Sequence, residues 1–226
     1  MSTPVKLKFS EKCDKDHARQ YYLKHQDGMS RKLSHYRDEQ MVRHALHKAG
    51  DPGLVLDLPC GAGRFWPLLA ENLNRIIIGA DNSPDMIKTA LENQPADIVK
   101  RVKTLETSAF SIDLPDNSVD SIFSMRLIHH IGESAHRLTM LREFHRVTRD
   151  TVILSMWVDG NFKSWKRKRQ EERREARGEY REYQNRFVIP RSVAEDEFKQ
   201  AGFVIDNKSD FIPFFAMWRV YVLRKV

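Results

Sequence analysis

Leu54-Val55-Leu56-Asp57-Leu58-Pro59-Cys60-Gly61-Ala62-Gly63-Arg64-Phe65 is an apolar run that ends in an acid and then turns through two glycines. Phe65, Leu68, Leu69 and Leu73 follow at helical spacing. Strand, glycine turn and helix in that order open an α/β nucleotide-binding unit. The glycines let the backbone turn sharply and approach a ligand closely. A phosphate-gripping loop would need Lys-Ser or Lys-Thr after the glycines, and none follows. A dinucleotide loop would need a third glycine where Trp66 stands, a side chain too bulky for that helix–strand contact. What remains is an acid four residues ahead of a G-x-G turn, or else a plain strand–helix turn with a structural aspartate.

Asp57-Leu58-Pro59-Cys60-Gly61-Ala62-Gly63 resembles the first motif of the class I methyltransferases that use S-adenosylmethionine (SAM). That family usually has glycine where this chain has Pro59. SAM carries no phosphate, so the loop needs neither a lysine nor an anion-binding helix start. It does carry an ammonium and a sulfonium, whose positive charge a buried carboxylate such as Asp57 compensates.

Downstream, Ile76-Ile77-Ile78-Gly79-Ala80 is an apolar run suited to a parallel strand buried on both faces. It ends at Asp81, 24 residues beyond Asp57, where a carboxylate at a neighbouring strand tip can accept hydrogen bonds from two ribose hydroxyls. Gly79-Ala80-Asp81-Asn82-Ser83-Pro84-Asp85-Met86 is similar to the family's second motif, which implies cofactor contact by Asp81 and Asn82 and packing of Met86 on the adenine. A third strand is expected over Val102 to Thr107. The family often has Asp-Ala next, on the adenine amino group; here Ser108-Ala109-Phe110 holds that place, and the serine hydroxyl is a weaker acceptor than an ion.

Leu114 to Ser124 resembles the family's fourth-strand segment, and Met125-Arg126-Leu127-Ile128-His129-His130-Ile131 its x-x-L-H-H-I continuation. The resemblance places Met125 and Arg126 toward the methionine part of SAM. His129 or His130 is a candidate general base, since an unperturbed imidazole titrates near neutrality; each can equally be a packing residue at a helix start. Thr148-Arg149-Asp150 reads as a tight turn into a fifth strand, Val152 to Val158. Ser192-Val193-Ala194-Glu195 reads as a capping box, and two terminal strands are expected around Val204-Ile205 and Trp218 to Leu223.

Upstream, Met29 to Ala49 reads as a helix with Met41, Val42, Ala45 and Leu46 on its apolar face, after Tyr21 and Tyr22 in a basic stretch. In related methyltransferases such a segment covers the cofactor, so Arg31 or Arg37 can reach the SAM carboxylate or simply face solvent. The resemblance implies a Rossmann-like α/β fold, a doubly wound seven-stranded sheet with an antiparallel last strand. On that frame residues 1–50 form a helical lid, 51–158 the SAM-binding core, 159–190 a basic insertion or cap, and 191–226 a helix and strand pair.

The 226 residues fit one domain. Their net charge of +7 concentrates between Lys163 and Arg181, where nine Lys and Arg face four Glu. Aromatic residues, among them Phe162, Trp165, Tyr180, Tyr183 and Phe187, interleave with them. Such a segment is a solvated helix face, a substrate cap, a nucleic-acid grip or a surface for anionic lipid. Two cysteines imply no disulfide framework, and an N-terminus without an apolar core predicts a cytoplasmic protein.

Missing features narrow the chemistry. No [D/N]-P-P-[Y/F] follows the fourth strand, no cysteine sits where a pyrimidine nucleophile would, and the nine histidines show no metal spacing. The expectation is a SAM-dependent, metal-free methyltransferase yielding S-adenosylhomocysteine, acting on an O, N or C atom of a small-molecule, lipid or sugar-containing acceptor. Two alternatives are an RNA-modifying or RNA-binding protein gripping through the basic insertion, and a non-catalytic SAM-binding regulator.

Overall fold

Seven strands carry the chain: β1 (Leu54–Asp57), β2 (Ile76–Asp81), β3 (Val102–Glu106), β4 (Val119–Ser124), β5 (Thr148–Trp157), β6 (Phe203–Asp210) and β7 (Trp218–Lys225). In the computed structural model, which describes residues 29–179 and 186–226, they form one sheet in the order β3-β2-β1-β4-β5-β7-β6. Strands β1 to β5 are parallel, and β7 runs antiparallel between β5 and β6. This is the Rossmann-like arrangement with a reversed last strand.

Period-2 alternation sorts the strand residues onto two apolar layers. Leu56, Ile122, Val152 and Leu154 face one side, with Met140, Leu141 and Phe144 of α5 (Ser134–Val147) and Phe198 of α7 (Arg191–Gln200). Val55, Ile77, Phe123 and Ile153 face the other side. They meet Met41, Val42, Ala45 and Leu46 of α1 (Met29–Lys48) and Ile87 and Ala90 of α3 (Pro84–Asn93). Each of these α1 side chains is buried, so the C-terminal half of α1 is core. The remaining α-helices among the described residues are α2 (Trp66–Leu69), α4 (Ala96–Val99) and α6 (Phe162–Glu175).

Three local expectations fail for physical reasons. The helix expected from Phe65 through Leu73 is only α2, and Leu73 is exposed. No turn forms at Thr148-Arg149-Asp150: β5 starts at Thr148, paired with Val119, and Arg149 binds the Asn117 carbonyl and Asp120 carboxylate. No capping box opens α7. Pro190 stands at its N-cap without a side-chain bond, and Glu195 instead accepts from the Tyr221 hydroxyl at 3.3 Å. A capping box instead opens α6, where Asn161 and Ser164 cap each other's backbone.

Trp66 is fully buried and lies against two glycines. A Cβ added to Gly79 would come within 2.5 Å of its ring, and one added to Gly63 within 2.9 Å. The tryptophan that seemed too large for close helix–strand contact fits because the strand and loop opposite it lack side chains. Gly79→Ala should therefore cost about 1–3 kcal/mol by overpacking. In a urea-unfolding double-mutant cycle with Trp66→Phe, that cost should shrink markedly; simple additivity would show that the ring is not the obstacle.

Candidate active site

The parallel strands end on one edge of the sheet, and their tips hold the polar groups. Leu58 N–H donates to the Phe123 carbonyl and Cys60 N–H to the Ala80 carbonyl, so the chain stays fixed between β4 and β2 as it leaves Asp57. It then turns through Gly61 and Gly63, both with positive φ (54° and 70°), where a side chain would strain the backbone. The Leu58–Pro59 peptide is cis.

Asp81 organises this turn. One carboxylate oxygen accepts the Gly61 N–H at 2.9 Å and the other the Ser83 N–H at 3.0 Å. Ser83 in turn caps α3, with Pro84 at its first position and Met86 buried beneath. Burial holds the Asp81 carboxyl above its ordinary pKa, against the pull of these N–H donors. Asn82 at the tip is exposed.

Asp57 is more constrained. It is 2% exposed, and its Oδ2 has no hydrogen-bond partner. Burial first, then the nearby negative charge of Asp81, push its pKa well above the usual carboxylate range; the indole of Trp66 pulls it partly back. That indole N–H does not reach hydrogen-bond geometry with any group. A buried carboxylate with an unused oxygen beside a second carboxylate suits a positively charged ligand.

Across the turn, Arg64 Nη2 and Arg126 Nη2 both donate to Asp38 Oδ2, at 2.7 and 2.6 Å. Arg64 also contacts His35 Nδ1 at 3.0 Å. Arg126 is held at φ 66°, its N–H donating to Ser155 Oγ, and its guanidinium lies over the Trp218 ring. Ser108 Oγ accepts the Phe110 N–H at 3.2 Å, closing a turn beside buried Ala109. Met125 is buried.

The methyltransferase-domain family matches residues 56–156, the span from β1 through β5. Residues 56–156 are thus a SAM-dependent methyltransferase domain. Among curated relatives it is 28% identical, over 54% of its length and 42% of theirs, to 2-methyl-6-phytyl-1,4-hydroquinone methyltransferase of Synechocystis. It is 27% identical to tRNA U34 carboxymethyltransferase of Shewanella frigidimarina, over 47% of this chain and 32% of that one. The matches thus span well under half of each of these relatives. Among solved structures, magnesium protoporphyrin IX methyltransferase of Synechocystis, with bound SAH, superposes with a TM-score of 0.72 at 15% identity, over 93% of this chain and 94% of that one.

In this methyltransferase two expected residues do other work. Arg37 is committed elsewhere: its guanidinium donates to the carbonyls of Phe211 (3.0 Å) and Asp210 (3.3 Å), tying α1 to the β6–β7 connection. The Arg31 side chain, like Tyr21, Tyr22, Tyr180 and Tyr183, lies outside the described residues. His129 is not an imidazole titrating near neutrality. It stacks on Trp157 (5.1 Å between centroids, 19° between planes) and meets the edge of Trp218 at 5.3 Å. Burial, then the cationic neighbourhood of His130, Arg186, Arg126 and Arg167, drive its pKa down to about 2. Its Nδ1 is buried without a hydrogen-bond partner. His130 is half-buried beside it, the rings 4.2 Å apart. A groove of ≈ 750 Å³ opens on this side, bordered by Phe162, Trp165, Arg167, Phe187 and Phe214. None of Asp57, Asp81 or Arg126 lines it.

Asp38 is the residue that sequence reading missed. It precedes Met41, Val42 and Ala45 by three, four and seven positions, the spacing of the buried face of α1, so its phase was a usable signal. Breaking a buried ion pair costs about 3–5 kcal/mol, less where the partners are partly exposed as Arg126 is. Asp38→Ala should lose about 2 kcal/mol in urea unfolding, and Asp38→Glu should recover part of it. A loss near zero would mean that solvent, not Asp38, balances the two arginines.

Proposed function

We propose that the chain transfers a methyl group from SAM to an oxygen, nitrogen or carbon of a small-molecule or lipid-like acceptor. The observation that carries this reading is the buried, unpartnered oxygen of Asp57 beside Asp81 at the tips of β1 and β2. A phosphate-bearing cofactor would meet two carboxylates there and be repelled. SAM, when bound, supplies a methyl on a positively charged sulfur.

Asp57, the Gly61–Gly63 backbone and Asp81 with Asn82 form the cofactor end. Asp81 has spent one lone pair of each oxygen on Gly61 and Ser83 and keeps others for ribose hydroxyls. Met86 and the Ser108-Ala109-Phe110 turn fit the adenine side, with Pro59 shaping the loop and Met125 beneath. Arg64 and Arg126 converge on Asp38, and two guanidinium groups brought together there suit the carboxylate of an amino acid. This is the role first expected of Arg31 or Arg37.

On the acceptor side, the chain's contribution is alignment and exclusion of water. Trp157, Trp218 and His129 form an aromatic box. With a pKa of about 2, His129 stays neutral at physiological pH and holds a proton poorly. It serves as a hydrogen-bond partner that orients the acceptor rather than as a proton store. Relatives acting on a hydroquinone and on tRNA leave the acceptor open, and a labelled-methyl screen of small-molecule, lipid and RNA extracts discriminates among them.

Calorimetry tests the cofactor assignment. Free Asp57 is protonated to an unusually high pH, and a cation bound beside it lowers that pKa. SAM binding should therefore release a proton, and affinity should rise with pH between the free and bound pKa values, then level. Asp57→Asn should abolish the proton release and weaken SAM by about 1.5–3 kcal/mol, the range for a lost charge-assisted bond. Equal affinity and unchanged proton release in the variant would remove Asp57 from the site.

A further inference from the structure

We propose that the rim at the carboxyl end of the parallel strands is a docking surface for an anionic lipid bilayer. The rim is built from α6 and from the Ile212-Pro213-Phe214-Phe215 loop between β6 and β7. Both lie at the end of the sheet where Asp57 and Asp81 stand, because β5 runs into α6 there and β7, being antiparallel, begins there. Among the described residues no helix is long and apolar enough to cross a membrane, so contact would be peripheral.

α6 has two unlike faces. Ser164 is buried, and Arg167 pairs with Glu171 at 3.0 Å on the inward side. The opposite face carries Phe162 and Trp165, 49% and 54% exposed, together with Lys166, Arg169 and Arg173. Arg169 lies over the Trp165 ring. The helix as a whole holds seven basic residues against three acidic ones. Basic residues on one face with aromatic rings among them are the pattern of helices that lie in the headgroup layer.

The loop adds apolar side chains that the fold does not require to be outside. Phe214 is 88% exposed and sits at φ 60°, a left-handed conformation that is strained for a bulky side chain. The strain holds a phenyl group outward into water. Loop and helix are one unit: the Phe162 and Lys163 N–H groups donate to the Phe214 and Phe215 carbonyls at 2.8 and 3.0 Å. The rings of Phe162 and Phe215 stack at 5.7 Å, with the Lys163 ammonium over the latter. Exposed Leu33 and Tyr36 on α1 extend the rim, held beside it by the Arg37 bond to Phe211.

Charge and chemistry select the occupant. A second copy of the chain would bring cations against cations. A single-stranded nucleic acid stacks on aromatic rings, but Leu33, Ile212 and Pro213 offer no such face. Aliphatic and aromatic side chains ringed by lysine and arginine match hydrocarbon beneath anionic headgroups. Seated there, the carboxyl end of the parallel strands would face the bilayer, and the acceptor would be an amphiphile drawn from it.

Vesicle flotation of the full chain without SAM tests the surface independently of any catalysis. Vesicles of phosphatidylcholine alone are compared with an equimolar mixture containing phosphatidylglycerol. The protein should float with the mixture and not with phosphatidylcholine, and added salt should weaken it. Phe214→Gly suits the observed φ and should keep or raise the melting temperature while lowering vesicle affinity by about tenfold. Lys166→Glu with Arg169→Glu and Arg173→Glu should lower it by about a hundredfold or more. Failure to float with either vesicle, or flotation of both variants like the parent, overturns the proposal. So does binding of single-stranded RNA that the charge reversal abolishes while vesicles are ignored.

Discussion

Two carboxylates share one buried end of this sheet, and the architecture around them follows from that constraint. β1 and β2 are neighbours in parallel register with Asp57 opposite Gly79, so Asp81 ends β2 two residues beyond the tip of β1. Asp81 relieves its own burial by accepting backbone N–H groups from the glycine turn and from the start of α3. In doing so it shapes the loop that passes over Asp57. Asp57 gains no such relief, and its burial raises its pKa well above the usual carboxylate range. The close seat of Trp66 on Gly63 and Gly79 packs the glycine turn against β2. The strand order also reverses direction between β1 and β4, and crevices at such reversals are where open α/β sheets bind ligands.

Much of this end was legible because it is written locally. The apolar runs of β1 and β2, the acids that end them and the glycine turn depend on neighbours a few residues away, and period-2 and period-3.6 patterns report them directly. The aromatic box around His129 was not legible, because it depends on pairing across the chain. Trp157 and Trp218 meet only through the antiparallel β5–β7 register, in which they are direct partners. His129 becomes buried and basicity-poor because those two rings close around it, a fact that no property of the His129-His130 pair reveals. Glu195 looked like a cap by its spacing from Ser192, yet its carboxylate lies among Arg219, Tyr221 and Lys208 on the last strands. Local spacing proposes a role; a long-range charge partner overrides it.

Arg126 joins the two sides. Its guanidinium answers to Asp38 and, through that carboxylate, to Arg64 at the cofactor turn, while its flat face rests on Trp218 in the aromatic box. A residue held at φ 66° between these duties has little freedom to move, since both its backbone and its side chain are determined by the surroundings. A displacement of the glycine turn that moved Arg64 and Asp38 would bear on the box through Arg126.

The weak basicity of His129 fits such a site. A methyl group on a positively charged sulfur is already a strong electrophile, so the step depends mostly on an in-line approach in a dry pocket. A protonated imidazole there would add a third positive charge beside Arg126 and Arg167 and would repel the sulfonium. Burial between two tryptophans prevents that and leaves a neutral ring whose Nδ1 has no hydrogen-bond partner. The same burial that removes His129 as a base makes it compatible with a cationic donor.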